Sequence, residues 1–423
     1  MEKNAADKRR LNILVVYSGF PARATLHDAL FSFRRYSDHR VFYLNLRLKG
    51  VPRYVTRMKF DLVIFHALFF SNRFDADFLQ RTFKRASPLA KLDAVKVILP
   101  QDEFINSALV NKFIRDFSID CVFSVQPERV WDQVYDSIDR KRVEIRPILT
   151  GYLDDMRLSK IETLKRLIPR TLDIGYRTAG DPPAWFGRHG FLKRLIAEAF
   201  LKAGRDTGLK LDISTSGHDT LLGDDWYRFL VRCRYTLGVE GGTSILDRDG
   251  QIRRRTEAYQ AAHPTASFEE IERACFPGVD GTFNGFAISP RHLEACAAGT
   301  CQILTEGHYN GILVAGRHYI PVKHDFSNVR EVLERVRTDE NGRRQMARRA
   351  YADIVESGKY TYQRFVNFVI AESMAVGSAH EEARATTPSS AMVMLHGWMR
   401  LVELGMRALA YGRSRMAPIR STT

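Results

Sequence analysis

The stretch Ile288-Ser-Pro-Arg-His-Leu-Glu294-Ala-Cys-Ala-Ala-Gly299-Thr-Cys-Gln-Ile-Leu304-Thr305 concentrates residues that could handle an anion. Ser289 before Pro290 is a favourable helix start, with serine as cap and proline at the first helical position. The unpaired N–H groups and the dipole of such a start attract negative charge. Arg291 adds a guanidinium that fits phosphate, and Glu294 follows on the same short helix. Ala295, Ala297 and Ala298 are small enough for close helix-on-sheet packing, and Gly299 can end the helix in a left-handed conformation. A second stretch, Gly238-Val-Glu240-Gly-Gly-Thr-Ser-Ile-Leu-Asp247, closes a strand with glycines that let backbone approach a ligand closely. His66, Asp102 and Glu103 stand at the ends of apolar runs, where a general base or an acceptor ligand could sit. Ser216-Gly-His218-Asp219 looks triad-like but reads as a turn, because adjacent residues do not build a triad. Neither Asp154-Asp155 nor Asp224-Asp225 lies in a metal-binding context, and the five scattered cysteines form no CxxC or Cys/His cluster, so no metal site is expected.

The elements that would hold these residues repeat in a simple order. Leu11–Ser18 is a nearly continuous apolar run, as expected of a strand covered on both faces. A helical pattern over Ala22–Tyr36 follows. Strand-like runs then recur at 40–46, 60–66, 94–100, 119–125 and 143–149, separated by helix-length connections. That pattern predicts a parallel sheet with helices on both faces, its ligand crevice at the carboxyl ends of the strands. Ser18-Gly19, His66, Gln101-Asp102-Glu103 and Ser124 all fall at such ends. Gly151 to Asp155 and Pro169 mark a boundary. Beyond it a second series runs through strands at 172–176, 210–214, 235–239, 286–289 and 301–304. Its helices are expected at 191–204, 226–232, 267–274, 291–298, 328–338 and 343–355, with loops at 177–190 and in the polar section 247–280 around the helix at 267–274.

The 288–305 stretch resembles the donor-nucleotide segment of GT-B glycosyltransferases of the family 1 and 4 type and their CgeB-like relatives, where a phrase like Ser-Pro-Arg-x-(Leu/Phe)-Glu-Ala-x-Ala-x-Gly-Thr recurs. The resemblance covers residues 10–375. It implies an α/β GT-B fold: two Rossmann-like βα domains facing across a cleft. It further implies that Glu294 accepts hydrogen bonds from the nucleotide ribose, and that backbone amides at Ser289, Pro290 and Arg291 mark the diphosphate end. Arg177, after the first strand of the second domain, and Lys193 match positions where such enzymes place diphosphate cations, although Lys193 lies further along than usual. One departure stands out. Retaining members carry an acid eight positions before the ribose glutamate, and Phe286 occupies that position here. Glu240 is the natural substitute. The expected domains are 1–155 for the acceptor, 156–345 for the nucleotide sugar, 346–378 as returning helices, and 379–423 as a linker with an amphipathic tail helix.

Composition agrees with this reading. At 423 residues with 45% hydrophobic and 27% charged side chains, the chain is large enough for two domains. No apolar stretch reaches the ~20 residues of a membrane span, and the start carries no signal-peptide pattern, which points to the cytoplasm. Net charge is +15, carried mainly by 48 arginines against 16 lysines. Without a basic stripe interleaved with aromatics, the excess favours an anionic substrate or membrane face over nucleic acid. In the tail, Ala391, Leu395, Trp398, Val402, Met406 and Leu409 fall on one helical face, suited to packing on the body or to peripheral contact at the inner face of a membrane. The expected activity is metal-independent transfer from a nucleotide diphosphate sugar to a hydroxyl of a surface glycan or lipid-linked sugar, with retention slightly favoured and no cofactor. The catalytic candidates are Glu240, His66 and Asp102. The alternatives are a non-catalytic nucleotide- or glycan-binding protein of the same fold, and a sugar-nucleotide epimerase or hydrolase.

Overall fold

The computed structural model describes residues 9–20, 24–47, 49–180 and 182–378, with isolated positions 394, 398 and 405. The linker and tail helix expected over 379–423 therefore lie outside the described residues, those three positions apart.

The first lobe is built on six parallel strands: β1 (Asn12–Tyr17), β2 (Arg40–Asn45), β3 (Leu62–Phe65), β4 (Val95–Ile98), β5 (Cys121–Ser124) and β6 (Glu144–Pro147), in the spatial order β2-β1-β3-β4-β5-β6. All six residues of β1 are buried, which explains its unbroken apolar run: helices cover both faces, so neither face is left for polar residues. The second lobe holds five parallel strands. These are β7 (Leu172–Arg177), β8 (Leu211–Ser214), β9 (Cys233–Gly238), β12 (Cys301–Thr305) and β13 (Tyr319–Val322), in the order β13-β12-β9-β7-β8. A short antiparallel ribbon joins β10 (Gly241–Thr243) to β11 (Gly285–Ala287). Counted within each lobe, both sheets run second-first-third-fourth-fifth. Each therefore has its topological switch point between its first and third strands, the position where α/β sheets open a ligand crevice. Two lobes of Rossmann-like βα topology are what the sequence reading led one to expect.

Several boundaries differ from the sequence reading. The helix expected from Phe191 begins at Arg188, so the preceding loop is shorter. The polar section carries an additional helix, Gln251–Ala262. β13 went unmarked because Pro321 interrupts it; as the edge strand of its sheet, it tolerates the missing N–H. The helix expected over 343–355 runs Glu340–Tyr351 and then loosens into a π-helical turn at Ala352–Glu356.

Three connections hold the lobes together. Helix Tyr362–Ser378 returns to the first lobe, where Tyr362, Phe365, Val366, Val369 and Ile370 join the core that also contains β1 residues Ile13 and Val15. On one flank, the loop after β4 pairs with the second lobe: Asp247 donates its N–H to Phe104 at 2.7 Å and accepts from Asn106 at 2.8 Å. There Trp185 and Phe283 of the second lobe are buried within the first lobe's core. On the other flank Arg35 pairs with Asp154, and Arg157 with Asp28 at 3.0 Å. Among the described residues, no helix is long and apolar enough to cross a membrane.

Candidate functional site

Helix Pro290–Ala297 begins where the connection between the lobes touches it. Thr150 donates its hydroxyl to the Ile288 carbonyl at 2.7 Å, and a Cβ on Gly151 would stand 2.7 Å from Pro290 Cγ. Only a glycine lets the linker pass this close. Ser289 occupies the cap position with extended backbone, but its hydroxyl makes no capping bond, contrary to the expectation for Ser-Pro. Its role at this helix start is one of conformation. Gly299 is left-handed, at φ +62°, as expected of a helix terminator.

Glu294 is 9% exposed, and its two oxygens are already engaged. Oε2 accepts from the Trp226 indole N–H at 2.7 Å and Oε1 from the Tyr227 hydroxyl at 3.3 Å. Burial pushes its carboxyl pKa up, opposed by the Trp226 bond and the charge of Arg291. Arg291 lies 5.0 Å over the Trp226 ring and donates to the Arg177 carbonyl at 2.6 Å. Arg291, Trp226 and Glu294 thus form a continuous row at the carboxyl end of β7.

The side chain of Arg177 is used within the sheet. It donates to Asp212 Oδ1 at 2.6 Å and to the Asp212 carbonyl at 2.8 Å, and lies 4.3 Å over Phe229. With only 14% of the side chain exposed, this guanidinium braces β7 against β8; the free cations of the cleft are elsewhere.

One of them is Lys193, on helix Arg188–Gly204, near enough to Asp102 of the first lobe for the two charges to attract. Water reaches both side chains, yet protein crowds them on most sides, as at the bottom of a cleft. That crowding lowers the Lys193 pKa and raises the Asp102 pKa; Arg291 adds to the first effect, and the attraction between the two residues opposes both. Asp102 is held in a left-handed backbone conformation, φ +53°, and Asn106 in another, φ +51°. Such strain in non-glycine residues persists only where the surroundings over-determine it.

Beneath Asp102 the chain is buried. Glu103 accepts from Ser124 Oγ at 2.6 Å, from the Val125 N–H at 3.3 Å, and from the Tyr135 hydroxyl. Burial pushes its pKa up to about 7. The Arg73 guanidinium, fully enclosed, compensates part of this charge. His66, at the end of β3, is 3% exposed; Nδ1 accepts from the Leu68 N–H at 3.2 Å, and burial lowers its pKa to about 3. It is a neutral imidazole that shapes the turn after β3, and it is far less accessible than Asp102.

Glu240 follows β9. It is 5% exposed, and its carboxylate accepts from the Tyr309 N–H at 2.6 Å and the His308 N–H at 3.3 Å. The carboxylate expected to replace the missing acid therefore holds the turn after β12. Close by, His189 stacks on Phe286 and bonds through Nε2 to the Glu240 carbonyl at 3.1 Å. Neither His189 nor Trp226 was marked from sequence. His189 was legible in one respect, lying four residues before Lys193 and so on the same helix face. Trp226 and Arg73 gave no local signal, because their partners are 68 residues and about 30 residues away along the chain.

Residues 192–371 match the family model described as "Glycosyl transferase-like". No curated protein matches the chain in sequence. Among solved structures, the chain is similar to Anabaena Alr3699/HepE in complex with UDP-glucose, at 11% identity over 86% of this chain and 100% of that one, with a TM-score of 0.49. It is also similar to sucrose-phosphate synthase from Thermosynechococcus elongatus, at 11% identity over 88% and 100%, with a TM-score of 0.48. The N-terminal domain of Candida albicans trehalose-6-phosphate phosphatase is a third, at 11% identity over 89% and 99%, with a TM-score of 0.47.

Proposed function

We propose, from the premise that residues 192–371 form a glycosyl transferase-like segment, that this chain transfers a sugar from a nucleotide diphosphate sugar to a hydroxyl acceptor. The observation that carries the reading is the row Arg291–Trp226–Glu294 at the carboxyl end of β7, beside the start of helix Pro290–Ala297. A buried carboxylate, an aromatic face and a guanidinium in sequence suit a ribose, a base and a diphosphate. Glu294 would take ribose hydroxyls in exchange for its present bonds to Trp226 and Tyr227. Arg291 and Lys193 would neutralise the leaving diphosphate together with the amides at the helix start, so that no metal is invoked.

The first lobe would hold the acceptor, a glycan or lipid-linked sugar. Of His66, Asp102 and Glu103, Asp102 is the exposed one and the one that senses the charge of Lys193, and we assign it the acceptor hydroxyl. With Phe286 and His189 in place of a sugar-positioning acid, retention has no carboxylate at the usual position.

The test is thermal stability in the presence of UDP, GDP, ADP, CDP and dTDP, for wild type and Glu294→Ala, each against its own unliganded form. A nucleotide at about 100 times its dissociation constant should add roughly 2.7 kcal/mol. A shift with one nucleotide, lost in Glu294→Ala, supports the reading. No shift with any nucleotide, in folded protein, overturns the donor site.

A further inference from the structure

At the far end of helix Pro290–Ala297, around Gly299, an open groove of about 460 Å³ carries five cations: Lys165, Arg170, Arg343, Arg344 and Arg348. Glu162 is the one carboxylate in its lining. We infer that this groove binds a phosphate-bearing anion, at a site separate from the donor cleft.

Gly299 and Ala347, the two smallest residues of the lining, keep the groove open. The walls come from helix Asp155–Leu167 on one side and helix Glu340–Tyr351 on the other. On the second helix, Arg344 and Arg348 are four residues apart. Like charges at that spacing weaken a helix, so the stripe is not explained by helix stability.

The existing ion pairs, including Arg348 Nη1 to Glu356 at 2.8 Å, leave the groove positive. Arg343 gives Nε and Nη2 to Glu340, and Arg344 gives Nε to the same carboxylate, so one acid serves two guanidiniums. Lys165 and the Tyr351 hydroxyl share Glu162 in the same way. Among the described residues, Arg170 has no carboxylate partner. Its two Nη atoms donate to carbonyls that include those of Val231, Ala298 and Gly299, at 3.2, 2.7 and 2.8 Å. It thereby caps the ends of two helices, and those carbonyls no longer repel an anion from the groove. Burial and the nearby charge of Arg343 lower its pKa to about 10, a crowding that a bound anion would relieve. The volume suits a diphosphate, a sugar phosphate or a phospholipid headgroup. Eight residues of helix separate the groove from the Ser289–Arg291 start, about 12 Å at 1.5 Å per residue.

The experiment uses the full chain at low salt, with inorganic diphosphate followed by calorimetry and with phosphatidylcholine vesicles, with or without phosphatidylglycerol, followed by flotation. Because diphosphate also fits the proposed donor site, the titration is read in Lys193→Gln protein. To this is added the pair Arg344→Gln and Arg348→Gln, whose side chains are 71% and 67% exposed; circular dichroism checks that the fold is kept. The expected result is that the pair weakens diphosphate binding, or retention on phosphatidylglycerol vesicles, by about tenfold or more. Loss on diphosphate identifies a soluble phosphate compound, and loss on vesicles alone identifies a headgroup. Binding unchanged by the pair, or no binding to either probe, overturns the proposal.

Discussion

The imidazole of His189 lies flat on the phenyl ring of Phe286, with centroids 3.7 Å apart and planes inclined by 12°. The stack occupies the place where the sequence motif led one to expect an acid. It turns that corner of the cleft into an aromatic surface, with the Nε2 of His189 tied to the Glu240 carbonyl.

Burial lowers the His189 pKa from 6.5 to about 4. Its ring resonances in wild-type protein should therefore stay flat from neutral pH down to about 5. In Phe286→Ala, one ring face becomes open to water, and the midpoint should move back toward the ordinary value. A wild-type midpoint near 6.5, measured by NMR, would show that the ring is not held as described.

Glu103 couples stability to pH. Its folded-state pKa, about 7, exceeds the ordinary 4.5, so its contribution is fully present below 4.5 and is lost as pH rises through 7. Relative to Glu103→Gln, wild type should lose stability over that window, by up to about 3 kcal/mol. Urea denaturation of both proteins across the window measures this. A difference that does not change with pH would refute it.

Glu240→Ala should destabilise the protein by about 1–3 kcal/mol, because the buried N–H of Tyr309 and the partly exposed N–H of His308 lose their acceptor. Glu240→Gln keeps one acceptor oxygen and should cost less. If the carboxylate instead serves chemistry alone, both variants will unfold at the wild-type denaturant concentration.

Gly151→Ala drives a methyl group against Pro290. The expected loss is about 1–3 kcal/mol of stability, accompanied by weaker nucleotide binding, since the helix start must shift. Calorimetry with whichever nucleotide stabilises the wild type would reveal a variant that loses stability but binds as wild type, and that would separate the linker from the proposed donor site.

Lys193 and Asp102 attract each other's charge but are assigned to different substrates. Lys193→Ala should raise the nucleotide dissociation constant about tenfold or more. Asp102→Asn should leave it within about twofold while sharply reducing sugar transfer. Equal effects of both variants on nucleotide binding would contradict the division of labour.

Much of this molecule follows from local sequence. Apolar runs such as Ile13–Tyr17 specify strands buried on both faces, and their spacing specifies helical crossovers and hence parallel sheets. Ser289-Pro290 and Gly299 bound a helix because their backbone preferences act within one turn. What a side chain does once the lobes have closed is not local. Arg177 and Glu240 read as ligand groups in sequence, yet tertiary packing spends one on Asp212 and the other on the N–H groups of His308 and Tyr309. Lys193 comes within electrostatic reach of Asp102, 91 positions earlier in the chain, only because the folded chain brings the two lobes together. Hydrophobic periodicity records which face of an element is buried; it carries no information on which distant polar group that burial brings near, and that decision belongs to the tertiary structure.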